Sequence, residues 1–173
     1  MNDVRFVVAP LLVQLESVGD KEETFFKEYN SLSEFEEDSV GQWLKIAKAR
    51  GETGDSDQVL LTLIVELHKK IDMLTSIIKD EEKTLLSLAQ TAEISHIGYE
   101  HIMIEEDLFK EGARYYVRVQ MPVFPKREIP LFVEALSANV AHITNIHDKD
   151  ERDWSSYMAA RERVMIRESK AGK

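Results

Sequence analysis

Between Asp57 and Lys79 the sequence runs without glycine or proline, and Leu60, Ile64, Leu67, Ile71, Leu74 and Ile78 recur at alternating spacings of four and three. That period is a heptad, with isoleucine at each a position and leucine at each d position. Glu66, His68, Lys69, Lys70, Asp72 and Ser76 lie between them, so the segment is amphipathic. Roughly 22 residues make a helix of about 33 Å. Leu61, Leu63, Val65, Met73 and Ile77 widen the apolar stripe beyond a two-stranded seam. A helix so apolar buries two sides, against two partners or against a partner and its own domain. Two readings follow: the core face of a monomer, or a seam between chains. The second is the expectation taken here, and it makes the protein an oligomer.

The preceding residues also read as helix. Ser33 with Glu36 three positions on is a capping box, and Phe35, Val40, Trp43, Leu44 and Ala47 follow at helical spacing. Lys45, Lys48 and Arg50 suit a helix C-terminus, and Gly51 supplies the stop. The turn-rich stretch 51–57 then caps the long helix, so 33–79 reads as a helical hairpin. Further upstream, residues 4–8 suggest a short strand and Pro10 a helix start. Asp20 to Asn30 shows little periodicity.

At Lys83 the pattern changes to alternation with β-branched and aromatic residues. Leu86-Ser87-Leu88, Ile94 to Tyr99, Ile102 to Ile104, Tyr115 to Met121, Leu131 to Leu136 and Asn139 to Ile146 read as short strands of an antiparallel sheet or small barrel. In the cleanest of them Tyr115, Val117, Val119 and Met121 share one face. Pro122, Pro125 and Pro130 bracket a loop. A C-terminal helix follows, capped by Asp148 or Asp150, with Trp154, Tyr157, Met158, Arg161 and Met165 on one face. The class is α+β. The chain divides into a mainly helical region 1–56, an oligomerisation helix 57–79, and a barrel with its C-terminal helix, 80–173.

Charge and composition narrow the function classes. The net charge is −10, and residues 1–83 hold 10 Lys and Arg against 18 Asp and Glu. Such a chain gains nothing from counterion release on a nucleic-acid backbone, so nucleic acid is not an expected partner. The most apolar run, 59–65, is far short of a membrane span, so no membrane insertion is expected. Cysteine is absent, which excludes disulfides and thiolate chemistry and fits a reducing cytoplasm. No secretory leader is visible, and a cytoplasmic location is expected.

No enzyme signature is legible: there is no G-x-S-x-G, no phosphate-cradling glycine loop and no H-E-x-x-H. Histidines 68, 96, 101, 142 and 147 are dispersed, and Glu105-Glu106-Asp107 reads as a solvated turn. No metal and no catalytic residue are expected.

One short motif stands out, Glu93-Ile94-Ser95-His96-Ile97-Gly98. It resembles the D/N-x-S-x-x-G signature of PilZ domains, with glutamate in first place. The flanking strands, the turn at Leu108 to Gly112 and the C-terminal helix occur in that family's order, over roughly residues 79–168. The resemblance implies a six-stranded antiparallel barrel and a cyclic di-GMP position built from the signature and an R-x-x-x-R element ahead of it. There this chain has Lys79-Asp80-Glu81-Glu82-Lys83, so lysines stand where arginines would grip phosphate and stack on guanine. Lysine offers a point charge without the planar fork. Lys79, Lys83, Glu93, Ser95 and Gly98 therefore mark a degenerate ligand site, and no cofactor is expected.

The long heptad helix places the resemblance nearest to PilZ proteins that assemble as tetramers through such a helix. That implies a non-enzymatic adaptor acting on another protein. The alternatives are a genuine cyclic di-GMP receptor in motility, pilus or biofilm control, and a scaffold without signalling role.

Overall fold

The computed structural model describes residues 5–34, 39–78, 85–122 and 127–171. Six strands close into an antiparallel barrel: β1 (Val7–Ser17), β2 (Gln90–Ile97), β3 (His101–Ile104), β4 (Arg114–Met121), β5 (Arg127–Ala135) and β6 (Val140–Asn145). Their order around the barrel is β1-β2-β3-β6-β5-β4. Four helices accompany them: α1 (Glu22–Glu34), α2 (Ser39–Ala49), α3 (Gln58–Ile78) and α4 (Asp148–Ala171). The chain forms two compact units, 1–33 with 87–173, and 34–86.

The expected barrel is present, but its first strand comes from outside 80–173. β1 pairs with β2 on one side and β4 on the other. The sequence suggests a short strand over residues 4–8 and a helix start at Pro10; the strand instead runs from Val7 to Ser17. Val7, Ala9, Leu11, Val13 and Leu15 alternate inward and are almost wholly buried. Pro10 falls where the β1–β2 register shifts between Val8 and Leu11, a bulge at which a missing N–H breaks no regular ladder. Pro130 likewise lies inside β5 opposite Arg118, not in a loop, and the register of β5 with β6 begins only at Phe132. Leu86-Ser87-Leu88 precedes β2 without being strand.

The core is the barrel interior plugged by α4. Tyr115, Val117, Val119 and Met121 share the inward face as expected, and Trp154 and Met158 are fully buried beside them. The stripe fades along α4: Tyr157 and Arg161 are half-buried and Met165 exposed. Asp148 and Asp150 both lie within the first turn of α4 rather than at its N-cap. There they complement the helix dipole, and Asp150 forms a buried ion pair with Arg127.

The outer face of β4 is also buried, and α1 covers it. Phe25 stacks on Tyr116 at 4.9 Å between ring centroids and Phe26 on Phe132 at 4.4 Å, while Tyr29 lies against His147 at 3.9 Å. Beneath these rings Arg118, 3% exposed, donates to Glu28 Oε1 at 2.8 Å and to Gln14. The Tyr116 hydroxyl donates to the same Glu28 oxygen at 2.9 Å. Three aromatics and one acid at i, i+1, i+3 and i+4 suffice to dock a helix whose sequence looks otherwise polar. Ser33 sits in the last turn of α1, so it is not the cap of the next helix; Glu36 lies outside the described residues.

In the unit 34–86, α2 ends as its sequence foretells. Gly51 adopts φ +75°, its N–H bonds to Lys48 O at 3.0 Å and that of Glu52 to Ala47 O at 3.1 Å, the two bonds of a Schellman motif. Asp57 then caps α3, its Oδ1 accepting from the N–H groups of Val59 and Leu60 at 2.9 and 3.2 Å.

Truncating Arg118 to alanine strands a buried carboxylate at Glu28, and should cost about 3–5 kcal/mol. Glu22→Ala breaks an ion pair with Arg114 whose side chains are 40% and 51% exposed, and should cost about 0–1 kcal/mol. Urea denaturation of both variants checks the contrast; equal losses would show that Arg118 does not anchor α1.

Candidate functional site

The signature residues fall on the second half of β2 and the turn after it. Glu93 is exposed, Ile94 points into the core, and Ser95 and His96 are half-buried where the β2–β3 register shifts between Ile94 and His96. This bulge turns two successive polar side chains outward. Ser95 Oγ donates to Met103 O across the hairpin at 3.3 Å and lies 3.0 Å from His96 Nδ1. Gly98 has a different task. Its N–H bonds to His101 O at 2.8 Å, closing the hairpin, and its carbonyl accepts from Trp154 Nε1 at 3.0 Å, tying the turn to α4.

Glu93, Ser95 and His96 line a cavity of about 310 Å³ together with Val8, Pro10, Glu105 and Glu106. The structure thus brings Glu93 and Ser95 together, leaves Gly98 outside the lining, and adds two acids from the turn after β3. Lys79 and Lys83 lie outside the described residues. Among the described residues, three carboxylates and a histidine line this cavity, with no lysine or arginine beside them. Carboxylates this close to an incoming phosphate repel it. The carbonyl of Val8, which also lines the cavity, accepts from Arg161 Nε at 2.7 Å.

Sequence reasoning missed the polar cluster under α1, because Arg118 alternates with inward residues and so reads as a solvent-facing charge. Its partner Glu28 lies in a segment with little visible periodicity. Two tyrosines at the α1 interface are perturbed. Burial, and then the negative charge and hydrogen bond of Glu28, push Tyr116 far above the ordinary phenol range. Burial, followed by the charges of Asp150 and Asp148, raises Tyr29 to about 12.

A closed six-stranded antiparallel barrel followed by a helix is the fold that the resemblance of the sequence to PilZ domains implies. No protein-family model and no curated protein matches the chain. Among solved structures it is similar to a pathogenic protein from Xanthomonas campestris, described as a new tetrameric PilZ domain self-assembled via an unusual helical bundle. The identity is 14%, the alignment covers 96% of this chain and 92% of that one, and the TM-score is 0.43.

The tyrosine shifts set a direction for alkaline stability. Below the usual phenol pKa near 10 both folded and unfolded chains keep the proton. Above it the unfolded chain releases protons first, so stability falls as pH rises through about 12 for Tyr29 and beyond for Tyr116. Denaturation midpoints at pH 9.5 and 11.5 should show this drop. The drop should shrink in the Tyr29→Phe, Tyr116→Phe double variant; an unchanged drop would assign it to other groups.

Proposed function

We propose that this chain is a non-enzymatic, PilZ-like adaptor that self-assembles through α3 and acts by binding another protein, with a ligand position degenerate toward cyclic di-GMP. One observation carries the assembly: Leu60, Ile64, Leu67, Ile71, Leu74 and Ile78 are each between 51% and 84% exposed. A core face would be covered. Burying what remains of six aliphatic side chains is worth on the order of 5–10 kcal/mol per helix before association costs. Leu63 and Met73, 52% and 67% exposed, widen the stripe and favour more than two strands, with a tetramer as the proposed state.

The acid-lined cavity supports the degenerate reading of Lys79, Lys83, Glu93, Ser95 and Gly98. The competing receptor reading draws on the same cavity, since Glu93 and Ser95 do converge on it. No helix among the described residues is long and apolar enough to cross a membrane. A cytoplasmic setting in motility, pilus or surface-attachment control is proposed by family analogy alone.

Light scattering should give a mass near four times the 19.9 kDa chain; a monomer at micromolar concentration ends the assembly proposal. Ile71→Asp with Leu74→Asp buries charge in the seam at a cost of several kcal/mol, so the assembly should dissociate while the barrel's strand signal persists.

Calorimetric titration with cyclic di-GMP should show no binding at low-micromolar ligand. The triple variant Lys79→Arg, Lys83→Arg, Glu93→Asp should gain affinity. Micromolar binding by the wild type would replace the adaptor with the receptor.

A further inference from the structure

His101 and His142 lie 41 positions apart in sequence yet face each other directly across the β3–β6 ladder. Both are partly exposed. Their ring centroids are 5.0 Å apart and the ring planes inclined by 49°. His142 Nδ1 lies 3.0 Å from the main-chain oxygen of Glu100. With its proton on Nδ1, His142 donates to that carbonyl and leaves the Nε2 lone pair free. Histidines that ligate metals are held in this way, one ring nitrogen fixed by a carbonyl or carboxylate and the other directed to the ion. Two imidazole nitrogens about 2.1 Å from one ion in tetrahedral geometry stand about 3.4 Å apart. A ring nitrogen lies about 1.2 Å from its ring centre, so centroids 5.0 Å apart are within reach of one shared ion.

We propose that His101 and His142 form a cross-strand two-histidine site for a divalent transition ion of the Cu²⁺, Ni²⁺ or Zn²⁺ class, with water completing the coordination. Imidazole nitrogen suits these ions, whereas Mg²⁺ and Ca²⁺ require oxygen donors. Among the described residues no group of three or more His, Cys, Asp or Glu could hold a metal. The site is therefore open and two-pronged, and Cu²⁺ should bind tightest. Burial, and then the neighbouring His142, lowers the pKa of His101 against the opposing pull of Glu100. Phe6 packs edge-on to the His101 ring at 6.3 Å and limits its alternative orientations. Two strands that meet at this pair, β3 and β6, would be clamped by the ion.

The test uses the untagged full chain. Titration with Cu²⁺ and with Zn²⁺ should give one ion per chain. His101→Gln and His142→Gln should each weaken it at least tenfold, while His96→Gln, on β2, should leave it unchanged. Electron paramagnetic resonance of the Cu²⁺ form should show two imidazole nitrogens in the wild type and one in either variant. Zn²⁺ should raise the melting temperature of the wild type, reversibly on chelation, and not that of the variants. Undiminished binding in either β3 or β6 variant overturns the proposal. So does a wild-type resonance with fewer than two nitrogens, which stands even if a variant fails to fold.

Discussion

Closure of the barrel by β1 is the constraint on which the rest of this structure depends. Five strands drawn from residues 90–145 would form an open sheet with two free edges, each a row of unpaired N–H and C=O groups. β1 satisfies both edges at once, pairing with β2 over Val7 to Leu15 and with β4 over Val13 to Ser17. Because β1 and β2 are neighbours in space, residues 18–89 are an excursion between adjacent strands. α1 returns over the barrel's own outer face, where Arg118 and Glu28 share a buried hydrogen bond. α2 and α3 belong to a separate compact unit.

This arrangement divides the labour chemically. The barrel's interior holds its own side chains together with Trp154 and Met158. The outer faces differ from one another. One is occupied by α1, and another carries the acidic cavity at the signature motif. On α3 an apolar stripe stands exposed, the surface on which the proposed assembly rests.

The legibility of these parts from sequence followed how local their causes are. The heptad of α3, its Asp57 cap and the Gly51 stop are determined within a few residues, and each has the hydrogen bonds that the residue types call for. The strands from Ile94 to Ile146 were legible because apolar and β-branched residues recur at period two on the face toward the core, even where the outer face of β4 is buried as well. β1 was not, because Pro10 signals a helix start or a turn unless a bulge makes room for it. α1 was not, because only Phe25, Phe26 and Tyr29 mark its docking face, and what pairs with Glu28 lies 90 residues on. At the site, the convergence of Glu93 and Ser95 was legible from the motif. The two extra acids depended on how the turn after β3 packs beside β2, and the His101–His142 pairing depended on strand register.

The position of β1 also governs the order in which the chain can fold as it is made. Its partners β2 and β4 are separated from it by 72 and 96 residues, counted from Ser17 to Gln90 and Arg114. Closing a loop of the shorter length costs about 4 kcal/mol in chain entropy, and these pairings are of high contact order. Residues 34–86, a compact unit of their own, are made before β2 and β4, while Leu11, Val13 and Leu15 still await their neighbours. A nascent chain thus presents its α3 stripe before its barrel exists. Until β4 has been made, the closing ladder of β1 has no partner and the unfinished sheet keeps a free edge.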